Sequence, residues 1–307
     1  MKRIFFSLIA FFSASFLSAQ TASIRLGVLK GISCVPCAYL IENRAKLSVQ
    51  NMTFKTYDSV QGELPALLKD ELDMGFLSPK DAAKVFNKGG EALIAIGVCQ
   101  NGNAYLITND EAYSTIENLA EKTVVCEGND SDDVAVLNHI LSKDGSGVDS
   151  VEVDFSVPLT NIANKLIIGE EQYALLKEPF ATVALAHSSK IRRAESLQKM
   201  YSNSEEASHY PAMLLVARAD FASSNAELVR RFIELYKYAV SWTNKNPSKA
   251  GLLSEKHKLG LKSLIVKDSI PNAAIVWRDA TMAKNDIEKL FEILEVQFPE
   301  DGFYFNR

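Results

Sequence analysis

Apolar and polar positions alternate along this chain in blocks that switch between the two-residue period of a strand and the longer period of a helix. Ser23-Ile-Arg-Leu-Gly-Val-Leu29 predicts a first strand, followed by a loop from Lys30 to Ser33 and a helix from about Val35 to Arg44. Met52 to Tyr57 reads as a second strand. Gly62 to Glu71 carries Leu64, Leu67 and Leu68 at helical spacing, with Pro65 tolerable only in a first turn, and Met74 to Leu77 follows as a short buried strand. Ser78 and Pro79 then open a helix through Val85 as its N-cap and first residue. Two strands come next, Ala92 to Val98 and Ala104 to Thr108, separated by Cys99 to Asn103 with its Asn-Gly turn signal.

The second half repeats the alternation. Ile116 to Glu121 is a short helix, Thr123 to Cys126 a strand, Glu127 to Asp130 a polar loop, and Asp132 to Ser142 a helix that Ser131 or Asp130 can cap. Val151 to Phe155 and Tyr173 to Leu176 are strands flanking a helix from Leu159 to Ile168 that stops at Gly169. Lys177-Glu178-Pro179 leads into a helix from Phe180 to Ala186. Met213 to Ala217 reads as a strand returning to the first unit, Ala226 to Thr243 as a long helix, and helices fill the C-terminal region through Ile287 to Leu294. Strand alternating with helix twice over predicts two α/β lobes with a cleft between them. The expected boundaries are 20–108 for the first part of lobe 1, 109–211 for lobe 2, and 212–307 for the return to lobe 1 with C-terminal helices.

The N-terminal stretch changes the picture of where the chain works. Lys2 and Arg3 precede an apolar run from Ile4 to Phe16, and Leu17-Ser18-Ala19 supplies small residues at a cleavage site, so residues 1–19 read as a secretory signal peptide. The mature chain is expected to begin near Gln20. No Cys follows the apolar run, which points to a soluble secreted chain rather than a lipid-anchored one. Of the 307 residues, 47% are hydrophobic and 23% charged, the balance of a globular protein. A net charge of -5 with Lys and Arg scattered among Asp and Glu offers no footprint for nucleic acid.

Three stretches then carry a resemblance. Leu64-Pro-Ala-Leu-Leu-Lys-Asp-Glu-Leu-Asp-Met-Gly-Phe-Leu-Ser-Pro79 is a helix, an acidic residue, and a strand ending in a small-residue loop. Asn161 to Leu176 followed by Lys177-Glu-Pro-Phe-Ala-Thr-Val-Ala-Leu185 is a strand, Glu-Pro-Phe, helix unit. The third is the leading strand with its Gly31-containing loop, soon after a secretion signal. Over nearly all of the mature chain this resembles the periplasmic solute-binding proteins of ABC transporters, in the type II two-lobed group that includes nitrate, sulfonate, taurine and thiamine-precursor binders. The resemblance implies an α/β, two-lobed periplasmic-binding-protein type II fold with an inter-lobe cleft. It further implies a non-catalytic receptor without a cofactor, expected to be a monomer, that delivers a small polar or anionic ligand to a membrane permease. Enzymes on a similar fold, of the thiamine-pyrimidine or menaquinone-pathway type, remain an alternative, although they act in the cytoplasm.

Physical chemistry locates the candidate site. In open α/β sheets, ligands sit beyond the carboxyl ends of the strands, where helix N-termini offer free N–H groups and partial positive charge. Four loops fall at such ends: Gly31 to Cys34, Ser78-Pro79, Glu127 to Ser131, and Glu178 to Phe180. The candidate ligand-binding residues are Ser33, Cys34, Ser78, Pro79, Asn129, Ser131, Glu178 and Phe180. Ser78, Ser131 and Pro179 are equally ordinary helix-start residues, and Glu178 could fix its loop instead of touching ligand. The first loop departs from the family's usual small residues: Gly31-Ile-Ser-Cys-Val-Pro-Cys37 contains a CxxC. With Cys99 and Cys126 also ending predicted strands, all four cysteines are candidates for the cleft mouth. A Cys34–Cys37 disulfide, a soft-metal site drawing on Cys34, Cys37, Cys99 or Cys126, thiol-redox chemistry and inert buried thiols all stay open.

Overall fold

The structure, a computed structural model, describes residues 23–47, 52–128, 131–143, 151–204 and 207–306. The expected leader at 1–19 and the candidate Asn129 lie outside the described residues. In chain order the strands are β1 (Arg25–Leu29), β2 (Thr53–Tyr57), β3 (Met74–Leu77), β4 (Leu93–Asn101), β5 (Ala104–Thr108), β6 (Thr123–Cys126), β7 (Glu152–Asp154), β8 (Tyr173–Lys177), β9 (Arg192–Ser196), β10 (Pro211–Arg218) and β11 (Ile275–Asp279). The helices are α1 (Val35–Asn43), α2 (Val60–Leu68), α3 (Pro79–Lys88), α4 (Asp132–Lys143), α5 (Leu159–Ile168), α6 (Phe180–His187), α7 (Leu197–Ser204), α8 (Ala219–Ser224), α9 (Ala226–Lys245), α10 (Pro247–Lys256), α11 (Ser263–Ser269) and α12 (Lys284–Ile293).

These strands form two sheets. The first runs β11-β4-β10-β3-β1-β2 and the second β7-β6-β8-β5-β9. In the first, β1 pairs in parallel with β2 and β3, whereas β10 is antiparallel to β3 and β4. In the second, β6 is parallel to β7 and β8, whereas β5 is antiparallel to β8 and β9. Each sheet is covered on both faces, which is why its central strands are apolar on both sides rather than alternating. On one face of the first sheet, Leu26, Val28 and Phe76 pack with α1, α9, α10 and α11; on the other, Leu77, Ala95 and Val98 pack with α2, α3 and α12. Long α9 shows how pattern becomes packing: Val229, Phe232, Ile233, Tyr236, Ala239, Val240 and Thr243 recur at helical spacing and are all buried. Each large side chain of that stripe contributes about 1.5–3 kcal/mol of burial.

Several boundaries move. The expected lobe boundary at 108 is too late, because β5 pairs entirely within the second sheet. The chain crosses at Gly102-Asn103 instead and returns just before β10. Strand β4 runs on to Asn101, so Cys99 lies inside a strand and not at its end. Helix α2 begins at Val60, which puts Pro65 inside it; the missing Pro N–H removes one intrahelical bond from a helix of 9 residues, and the Lys69 N–H still reaches the Pro65 carbonyl at 3.0 Å. Edge strands β9 and β11 escaped the sequence pattern because their Arg-rich or mixed residues are only half buried.

One helix residue breaks the apolar pattern. Glu63 in α2 is fully buried, with its carboxyl pressed against β1 and β3 where Gly27 and Gly75 stand. A Cβ at either glycine would lie 2.0 or 2.6 Å from Oε1, so only glycine leaves room. Oε1 accepts the Phe76 N–H at 3.3 Å, and Oε2 finds no hydrogen-bond partner among the described residues. Burial pushes this carboxyl up to about 8, against which the Phe76 bond acts only weakly. The folded state therefore holds a proton that the unfolded chain has released, so Glu63 lowers stability as pH rises from the ordinary carboxylate range to about 8. The loss is on the order of 5 kcal/mol over that span. Glu63→Gln is expected to flatten this slope in urea titrations from pH 5 to pH 8, and an unchanged slope would mean that the carboxyl is not the group responsible.

Candidate functional site

Strand direction decides what faces what. The carboxyl ends of β1, β2, β3 and β4 share one edge of the first sheet, and those of β6, β7, β8 and β9 share one edge of the second. The short Gly102-Asn103 crossing joins the end of β4 to the start of β5, so these two edges face each other. The described residues of all four sequence-predicted loops lie on them. The helix N-termini of α3 and α4 approach from opposite lobes, and Lys80 Nζ in the first turn of α3 stands 3.9 Å from Asp132 Oδ1 in the first turn of α4.

On the first lobe, Ser33 is half buried in a 3-10 turn (Ile32–Cys34), and its hydroxyl donates to Gln100 Oε1 at 2.7 Å. Gln100 is itself fixed by its Nε2 donating to the Ala273 carbonyl at 2.8 Å. Gly31 supplies the positive φ of 135° that turns the chain into this loop. Ser78 caps α3: its Oγ accepts the Asp81 N–H at 3.1 Å and donates to Asp81 Oδ2 at 2.9 Å. Pro79 is buried as the first residue of that helix, so its position in the rim is structural.

On the second lobe, Ser131 sits half buried before α4, and its carbonyl accepts from Val134 and Ala135. It lines a cavity of about 10 Å³ with Cys126, Glu127, Asp133 and Lys177, a space for about one water. Phe180 is 43% exposed at the start of α6, and Phe155, just past β7, is 38% exposed. The two rings are apolar faces on an otherwise polar rim. Glu178 is different. Its side chain is wholly buried, Oε1 is ion-paired with Arg193, and Oε2 accepts the Thr182 N–H at 3.2 Å. Arg193 also donates to Thr182 Oγ1 at 2.8 Å and lies over the Tyr105 ring at 5.2 Å, while the Tyr105 hydroxyl reaches across to the Asn272 carbonyl of the first lobe at 2.8 Å. Expected among the ligand contacts, Glu178 has its carboxylate turned inward, where it caps α6 and holds the loop.

The cysteines do not line the cleft mouth. Cys34, Cys37 and Cys99 are fully buried in the core of the first lobe and Cys126 in that of the second. All four are free thiols, so the candidate Cys34–Cys37 disulfide is not formed in this structure. Burial is the first cause that pushes the Cys37 and Cys99 thiols well up. Among the described residues no group of three His, Cys, Asp or Glu side chains could hold a metal ion.

Two charged residues of the rim were missed as site residues. Lys80 and Asp132 read in the sequence as ordinary first-turn positions, and only the facing of the lobes joins them. Asp132 is pushed up to about 6, by burial first, with Lys80 opposing and Asp133 and Asp81 adding to the rise. Its neighbour Asp133 is buried: it accepts from the Tyr210 hydroxyl at 3.0 Å and pairs with Lys177 at 3.5 Å.

The sequence profile of the family described as NMT1/THI5 like matches residues 52–250, most of both lobes. The chain belongs to the NMT1/THI5-like family. No curated protein matches this NMT1/THI5-like chain. Among solved structures it is similar to an ABC transporter protein from Parabacteroides distasonis, at 20% identity over 93% of this chain and 99% of that one, with a TM-score of 0.78. It is also similar to the periplasmic aliphatic sulphonate binding protein SsuA from Escherichia coli, at 14% identity over 92% of each chain and a TM-score of 0.71. The periplasmic nitrate-binding protein NrtA from Synechocystis PCC 6803 matches at 11% identity over 82% of this chain and 70% of that one, with a TM-score of 0.58. The fold of this NMT1/THI5-like protein is thus the type II periplasmic-binding-protein fold.

The buried ion pair behind the second rim gives a sharp test. Arg193→Met would leave the Glu178 carboxylate buried without its cation, and is expected to cost about 3 kcal/mol in chemical denaturation. A loss near zero would mean that the Thr182 N–H alone satisfies Glu178.

Proposed function

We propose that this protein is an extracytoplasmic receptor that closes its two lobes on a small polar or anionic solute and presents it to the membrane permease of an ABC importer. The observation that carries the reading is the facing of the two strand-end rims, which brings the N-termini of α3 and α4 within ion-pair reach across one gap. First-turn N–H groups and Lys80 are suited to an anionic or strongly polar group, and Phe155 and Phe180 to an apolar or ring portion. The Ser78 and Ser131 rims contribute polar atoms, and Ser33 sits where the first loop is pinned to Gln100. The names of similar structures, an aliphatic sulphonate binder and a nitrate binder among them, support a binding protein that works without turnover. No helix among the described residues is long and apolar enough to cross a membrane.

A ligand that prefers the closed lobes must shift the population toward them. Thermal unfolding against alkanesulfonates, nitrate and aminopyrimidines is expected to reveal one class that raises the midpoint, and a ligand at about 100 times its dissociation constant adds roughly 2.7 kcal/mol. Chemical conversion of a stabilising compound would overturn the receptor reading in favour of an enzyme.

Closure should also respond to pH. In this arrangement of the lobes burial outweighs Lys80 in setting the Asp132 carboxyl at about 6, so this arrangement holds a proton that a more open one, with the carboxyl returned to water, releases. Lowering pH from 7 through about 6 is therefore expected to shrink the radius of gyration in solution scattering, and Asp132→Asn to remove that response. Expansion on acidification would instead show that the attraction between Lys80 and Asp132 outweighs burial in holding the lobes together.

A further inference from the structure

Cys34 and Cys37 take no part in the solute-binding reading, yet they sit directly beneath its first rim loop. Cys34 is the N-cap of α1 and Cys37 its third residue, the two positions whose side chains meet at a helix start. The two thiols belong to the same buried cluster, and each lies near enough to bear electrostatically on the other. Cys99 lies close enough to act electrostatically on Cys37, but its Sγ donates to the Met213 carbonyl at 3.3 Å from inside strand β4. Tyr236, wholly buried in the same cluster, is acted on electrostatically by all three sulfurs. Ser33 and Gln100, the chain neighbours of Cys34 and Cys99, are bonded across the same junction, so the dithiol and the rim contact belong to one small piece of structure.

We propose that Cys34 and Cys37 form a redox modification site, a dithiol that closes into a disulfide within the first rim loop. A low-molecular-weight disulfide such as oxidised glutathione serves as the oxidant. Cys34 loses its proton and its sulfur attacks one sulfur of the oxidant; the glutathione S–S bond breaks, and one glutathione leaves as a thiolate that takes up the Cys34 proton. Cys37 then attacks the Cys34 sulfur of the mixed disulfide. A Cys34–Cys37 bond forms, and the second glutathione leaves with the second proton, so two electrons and two protons pass from the pair to the oxidant. Both thiols are fully buried, so the oxidant reaches Cys34 only when the Ser33–Gln100 contact that holds the loop to β4 is released.

The folded protein is incubated with oxidised glutathione, then unfolded in alkylating reagent and digested for mass spectrometry. The expected product is a Cys34–Cys37 cross-link lacking two hydrogens, reversed by dithiothreitol, with Cys99 and Cys126 alkylated. Cys99→Ala should retain the cross-link, and Cys37→Ser should stop at a glutathione adduct on Cys34. A Cys34–Cys99 cross-link, or four alkylated thiols after prolonged oxidation, would overturn the proposal. Mapping of the natural chain decides the matter even if a variant fails to fold, and no outcome depends on a bound solute.

Discussion

The close approach of Gly102 to Tyr210 is the constraint on which the arrangement of the two lobes depends. The two chain crossings meet there, the Gly102 N–H donates to the Tyr210 carbonyl at 2.9 Å, and a Cβ on Gly102 would fall 1.8 Å from the Tyr210 ring. Because the ring occupies that space, its hydroxyl reaches Asp133 in the first turn of α4, and Asp133 in turn holds Lys177 at the end of β8. The crossing thus positions two of the second lobe's rim loops at once. A buried carboxylate with two partners is a rigid anchor, since its alternative is an uncompensated charge.

Around this anchor the rims are built by inward-facing polar groups. Gln100 bridges the Ser33 loop to Ala273, and Glu178 bridges β8 to α6 and Arg193. Tyr105 carries the Arg193 charge on its ring and touches the first lobe through its hydroxyl. These groups hold backbone N–H groups and rim side chains in place without facing the gap themselves. Helix α12 completes the hinge: Leu290 packs in the second lobe's core and Ile287 and Phe291 in the first lobe's.

Much of the candidate site was legible before the fold was known. Ser78 followed by Pro79 is a local signal, because an N-cap and the residue after it interact within a single turn, and the structure places the cap as expected. Strand-to-helix junctions mark the carboxyl ends of strands, so the four rim loops could be named from periodicity. Cys99 was misplaced because β4 continues past the apolar run into Gln100 and Asn101, whose polar side chains are nonetheless buried by the first rim loop and β11.

Sequence by itself determined most element types and many of the junctions between them, the edge strands β9 and β11 excepted, since hydrophobic period and caps act over a few residues. It also marked Glu178-Pro179-Phe180 as a loop of consequence. Only the tertiary structure decided which way Glu178 points, because its cation comes from a separate strand, β9. The same holds for Lys80 and Asp132, which belong to different lobes and meet only when two sheet edges face each other. Desolvation sets the charge of Asp132 and of Glu63, and desolvation is a property of everything packed around a group, which no local pattern in the chain encodes.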